Sequence, residues 1–88
     1  MYNLDYHPKG KEYFENLPEN VKIRAIKRIN FILENPTRQR HLKYGLPYFV
    51  VEFGQYRITY KVLESEQKII FYFVGNHKEY EKWYSSLD

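Results

Sequence analysis

Tyr48-Phe49-Val50-Val51-Glu52-Phe53-Gly54-Gln55-Tyr56-Arg57-Ile58-Thr59-Tyr60-Lys61-Val62 is the stretch that decides the fold. Two runs rich in aromatic and β-branched residues flank a Gly54-Gln55 turn, the pattern of a β-hairpin. A polar Glu64-Ser65-Glu66-Gln67 turn leads into a third run, Lys68 to Val74, so a three-strand antiparallel meander is predicted. In the middle strand Tyr56, Ile58, Tyr60 and Val62 fall on one face, and Arg57, Thr59 and Lys61 on the other. The expected sheet has an apolar back to be covered and a polar, positive front left open.

Working outward, Tyr2 to Tyr6 alternates apolar and polar residues, the period of a half-buried strand. Pro8 then suits the first turn of a helix, and Tyr13, Phe14 and Leu17 recur at helical spacing. Asn16-Leu17-Pro18 breaks that helix and opens a longer one ending near Asn35-Pro36. Within it Val21, Ala25, Ile29 and Ile32 form an apolar row widened by Ile26 and Leu33, while Arg24, Lys27 and Arg28 share the wet side. After Gly75, Asn76 caps a short terminal helix from His77 to Tyr84. The expectation is an α+β fold in the order β-α-α-β-β-β-α, a helical hairpin packed on a mainly antiparallel twisted sheet.

The 88 residues leave room for one core, so a single domain over 1–88 is expected. With no Cys, neither a disulfide framework nor a thiolate metal site is available, and packing must hold the fold together. No run of apolar residues is long enough to span a membrane, and Met1-Tyr2-Asn3-Leu4-Asp5 lacks the layout of an export signal. A soluble, cytoplasmic protein without membrane association is therefore expected. The net charge of +3 is unevenly spread: from Asn20 to Lys61 nine basic residues stand against two acidic ones, and the rest of the chain is net acidic. That polarity fits a polyanionic partner, either nucleic acid or an acidic polypeptide, or else a merely solvated face.

Glycine-rich phosphate loops, nucleophile elbows and carboxylate clusters with metal-ligand spacing are absent from the sequence, so no cofactor or metal is expected. Cationic, imidazole and phenol side chains remain, and these suffice to break an RNA phosphodiester, whose nucleophile is its own 2′-hydroxyl. Arg57, held mid-strand, can present its planar fork to a phosphate, or it can pair structurally with Glu52. His77, at the junction of strand and terminal helix, can move protons near neutral pH, or can simply be a surface residue. His41, beside Arg38, Arg40 and Lys43, can supply a second acid or base, with those cations and Lys61 binding phosphate. Tyr80 and Tyr84, four apart on the last helix, can stack on bases, donate to phosphate, or pack. His7 is assigned no function.

The chain resembles the RelE/ParE superfamily of toxin–antitoxin systems. The likeness rests on Ile32-Leu33-Glu34-Asn35-Pro36, His41-Leu42-Lys43-Tyr44-Gly45-Leu46, Gly54 to Val62 with its Tyr56-Arg57-x-x-Tyr60, and Phe73-Val74-Gly75-Asn76-His77-Lys78-Glu79-Tyr80. It implies a ribosome-dependent endoribonuclease that cleaves mRNA in the decoding site and is silenced by a small, acidic, partly disordered antitoxin. By position it implies that Arg57 contacts the scissile phosphate, His77 transfers a proton, Lys43 supplies charge, and Tyr80 or Tyr84 is the terminal aromatic. Val50 and Glu52 stand where well-known relatives carry two lysines, which implies either that Lys43, Arg40, His41 and Lys61 take over that charge or that the nuclease is weak, altered in specificity or absent. The superfamily also contains ParE-like inhibitors of DNA gyrase, so that activity, and a catalytically weakened antitoxin-binding module, are the alternatives.

Overall fold

A computed structural model describes residues 2–36, 40–41 and 48–87, with the backbone alone described at Arg40 and His41. The chain runs β1 (Asn3–Tyr6), α1 (Pro8–Glu15), α2 (Glu19–Glu34), β2 (Arg40–His41), β3 (Phe49–Phe53), β4 (Tyr56–Leu63), β5 (Lys68–Asn76) and α3 (His77–Ser85). The α+β class and the predicted order hold, with β2 added: the two residues read as loop pair antiparallel with β3, Arg40 opposite Val50 and His41 opposite Phe49.

The sheet order is β1-β5-β4-β3-β2. The predicted meander forms β3, β4 and β5, and β1 closes the other side by pairing parallel with β5. Gly54 takes a left-handed φ of 60°, which an L side chain rarely adopts, and this lets β3 reverse into β4 in two residues. Opposite Thr59 and Tyr60, β5 carries one extra residue, Tyr72, so the register shifts there.

Both helix starts follow local chemistry. Pro8 occupies the first turn of α1, where its missing N–H is no loss, and the His7 Nδ1 accepts from the Lys9 N–H at 3.2 Å. His7, set aside in the sequence, is thus a cap. Pro18 precedes α2, whose Val21, Ala25 and Ile32 are buried as the apolar row requires. They meet Phe49, Val51, Phe53, Ile58, Tyr60 and Ile69 from the back of the sheet. The Tyr60 hydroxyl, fully buried, donates to the Pro36 carbonyl at 2.7 Å and so fastens the end of α2 to β4; burial pushes its pKa well above the ordinary value.

Three sequence expectations are corrected. β1 is not half-buried: all four of its residues are exposed, because it is an edge strand whose Leu4 and Tyr6 look into an open groove beside α1 and α2. Ile26, placed in the packed row, borders the same groove and is 48% exposed. Most consequentially, the front of the sheet is not open. α3 lies on it, and Tyr80 and Trp83 join Val50 and Phe73 in a second core. The Phe73 and Trp83 rings stack at 5.5 Å, and Tyr13 of α1 meets Phe73 edge-on at 4.8 Å. Thr59, assigned to the polar face, is therefore fully buried under this layer.

The Thr59 hydroxyl oxygen has no hydrogen-bond partner among the described residues. An unpaired buried hydroxyl is unfavourable relative to a methyl of the same shape, so Thr59→Val is expected to stabilise the fold by about 1 kcal/mol. The change should raise the urea midpoint at constant slope, while Trp83→Ala should lower stability by about 3–5 kcal/mol through the cavity it leaves. A midpoint that falls with Thr59→Val would contradict the placement of that hydroxyl.

Candidate functional site

The β5–α3 junction fixes the geometry of the site. Arg57 on β4 lies opposite Glu52 on β3 and Gly75 on β5. Gly75 has to lack a side chain, since a Cβ there would come within 2.8 Å of the Phe73 ring and 2.9 Å of the Glu79 carboxylate. The space admits a capping box: the Glu79 N–H donates to the Asn76 side chain, and the Asn76 N–H donates back to the Glu79 carboxylate, both at 2.9 Å. These two bonds satisfy the first turn of α3 and set the position of His77, its first residue.

From that start α3 sends Tyr80 inward. The Arg57 guanidinium lies over the Tyr80 ring, 4.7 Å from its centroid, and its Nη2 sits 3.6 Å from the Glu52 carboxylate. Arg57 is thus held in plane by an aromatic below and an anion beside it, while a quarter of its side chain stays exposed. Arg57, Asn76, His77 and Lys78 line a shallow depression of about 340 Å³, closed on the other side by Glu52, Gly54, Gln55 and Tyr56. His77 is exposed, and its Nε2 lies 2.9 Å from a Glu81 carboxylate oxygen one turn along α3. In the neutral ring that contact places the proton on Nε2 and leaves Nδ1 as the acceptor.

A guanidinium, an imidazole and an ammonium around one recess can hold an oxyanion and exchange a proton with it. Of the other sequence candidates whose side chains are described, none lines this recess. Lys61 is on the same face of β4 but four residues from Arg57, about 13 Å along a strand. Its ammonium sits between Tyr48 and Tyr72, at 4.9 Å and 5.0 Å from their centroids, outside the depression. Tyr80 is 7% exposed, so its ring supports Arg57 and has no free face for a base. Tyr84 packs half-buried against Tyr80, at 6.0 Å between centroids. Arg38 and Lys43 lie outside the described residues, and of Arg40 and His41 only the strand position on β2 is described.

Sequence reasoning passed over Lys78 and Glu81. The four-residue interval from His77 to Glu81 is a readable signal for an i,i+4 pair on a helix. Lys78 carries no signal of its own beyond adjacency to His77.

The sequence matches no protein-family profile and no curated protein. Solved structures do share its architecture. The isolated RelE toxin of E. coli superposes with a TM-score of 0.77 at 19% identity, over 99% of this chain and 100% of that one. In the RelBE2 toxin–antitoxin complex of Mycobacterium tuberculosis the values are 0.78 and 15%, over 86% and 98%. In the RelB–RelE complex of Methanococcus jannaschii they are 0.71 and 17%, over 90% and 96%. The chain has the RelE-like fold.

Glu52 competes with any anion for Arg57. An ion pair this exposed contributes about 0.2–1 kcal/mol, so Glu52→Gln is expected to tighten any phosphate binding in the depression by roughly 1.4- to fivefold. Titration of the Gly75 and Asn76 backbone amides with inorganic phosphate measures this. An unchanged dissociation constant would contradict the competition.

Proposed function

We propose that this protein is the toxin of a type II toxin–antitoxin system, an endoribonuclease that cleaves mRNA in the ribosomal decoding site and is masked by a cognate acidic antitoxin. The observation that carries the reading is the shared depression: on a RelE-like fold, Arg57 and His77 border one recess large enough for a phosphodiester. The 2′-oxygen of the substrate attacks phosphorus and the P–O5′ bond breaks, leaving a 2′,3′-cyclic phosphate and a 5′-hydroxyl. Arg57 binds the phosphoryl oxygens, whose negative charge grows in the transition state. His77 acts as the imidazolium: its Nδ1–H proton passes to the departing 5′-oxygen, while Nε2–H stays on the Glu81 carboxylate, which holds the ring at a fixed angle. The acceptor of the 2′-hydroxyl proton is assigned to His41, with Arg38, Arg40, Lys43 and Lys61 as flanking phosphate contacts and Tyr84 as an aromatic flank.

Glu52 favours a second reading, a module with weakened catalysis that survives on antitoxin binding. Its carboxylate already occupies one edge of the Arg57 fork, and it adds a negative charge where the substrate is negative. Inhibition of DNA gyrase remains the alternative in which surface contact, and neither residue's chemistry, causes toxicity.

Expression without antitoxin is expected to stop growth, and 5′-end mapping on a translated transcript should reveal new ends within codons. Arg57→Ala and His77→Ala are each expected to lower cleavage about 100-fold or more while the protein stays folded. Growth arrest with altered plasmid topology and no new 5′ ends would favour the gyrase reading. Silence in both assays would favour the binding module.

A further inference from the structure

The β3–β4 turn separates the Arg57 depression from a second one. On the far side of Gly54, a recess of about 400 Å³ is lined by Arg24, Lys27, Arg28, Phe31, Phe53 and Gly54. The two recesses share Gly54, so a chain lying in one has only the turn to cross to reach the other. The lining of the second contains three cations and no acid. Among the described residues none of the three is paired with a carboxylate: the ion pairs engage Lys22, Arg57, Lys68 and His77 instead.

Such an arrangement opposes helix stability. Arg24 and Arg28 are one turn apart and Arg24 and Lys27 three residues apart, spacings at which like charges repel by a few tenths of a kcal/mol. No acidic residue stands three or four positions from any of them on α2 to offset this. Aromatic surface holds them in place. The Arg24 guanidinium lies over the Phe53 ring at 5.6 Å and fills the space left by the absent side chain of Gly54, and Arg28 sits 5.9 Å from the ring of Phe31, itself 45% exposed. Arg24 and Arg28 stand about 6 Å apart along the axis, of the order of the step between neighbouring phosphates in an extended strand.

We propose that Arg24, Lys27 and Arg28 form a second phosphate-binding surface, which takes the backbone of the RNA strand as it leaves the Arg57 depression across the Gly54 turn, with Phe31 offering a face to a base. The inference rests on the nuclease reading for the identity of the strand. An acidic polypeptide fits the charge too, but the interleaving of cations with aromatic rings favours a ligand that carries both phosphates and bases.

The test is the salt dependence of binding to an uncleavable 2′-O-methyl 12-mer, followed by fluorescence anisotropy between 50 and 300 mM salt. For single strands the slope of log K against log salt is about 0.7 per phosphate neutralised, so Arg24→Gln/Lys27→Gln/Arg28→Gln is expected to flatten it by about 2. Gln is a good helix former, and circular dichroism checks that α2 is retained. Affinity for a trimer, too short to cross the turn, should be unaffected by the triple change. An unaltered slope with the 12-mer overturns the proposal, and so does a triple variant that loses binding to a poly-glutamate peptide while keeping its RNA slope. Arg57→Ala and His77→Ala separate the two readings. If both leave toxicity intact while the triple variant still flattens the slope, the nuclease assignment fails and the surface stands.

Discussion

The stacking of the Arg57 guanidinium on the buried Tyr80 ring ties the site to the packing of the whole front face. Tyr80 can lie there only because α3 lies on the sheet, and α3 is held by the stacking of its own Trp83 on Phe73 of β5 and by the Asn76–Glu79 capping box at its start. The same box sets His77, so the guanidinium and the imidazole derive their relative placement from one junction. Gly75, where a side chain would strike both Phe73 and Glu79, is the point on which that junction closes.

Electrostatics then divide the surface. Among the described side chains, the other cations of the middle segment do not gather around Arg57. Lys61 is sequestered between two tyrosines, Arg24, Lys27 and Arg28 stand across the Gly54 turn, and Glu52 faces Arg57 from the neighbouring strand. The depression thus carries a mixed field in which an anion must displace a carboxylate. A substrate that also reaches cations outside the recess gains affinity there, which a lone phosphate cannot do.

Much of this was legible in the sequence. A two-residue turn at Gly54-Gln55 forces Phe53 opposite Tyr56 and Glu52 opposite Arg57, so the Arg57–Glu52 contact follows from register alone. Alternation gave the buried Ile58 and Tyr60, and Asn76 announced the start of α3. Counting also separates Lys61 from Arg57, because four residues of strand are longer than one phosphate. What local pattern does not encode is which surface a helix covers. Tyr80 and Tyr84 read equally as aromatics that meet a ligand or that pack, and only the tertiary arrangement puts Tyr80 beside Trp83 in a second core that buries Thr59. The parallel pairing of β1 with β5 is likewise set by packing between distant segments, and it leaves Leu4, Tyr6 and Ile26 more exposed than their periodicity implies.

The central claim is that Arg57 and His77 grip the same phosphodiester. Its most direct measurement is an NMR titration with a 2′-deoxy dinucleotide, which binds but cannot be cleaved, following the Arg57 Nε–H and the His77 ring protons together. Both sets of resonances are expected to shift with a single dissociation constant and to saturate at one ligand per chain. Resonances that move with separate constants, or a His77 ring that stays still while Arg57 saturates, would contradict it.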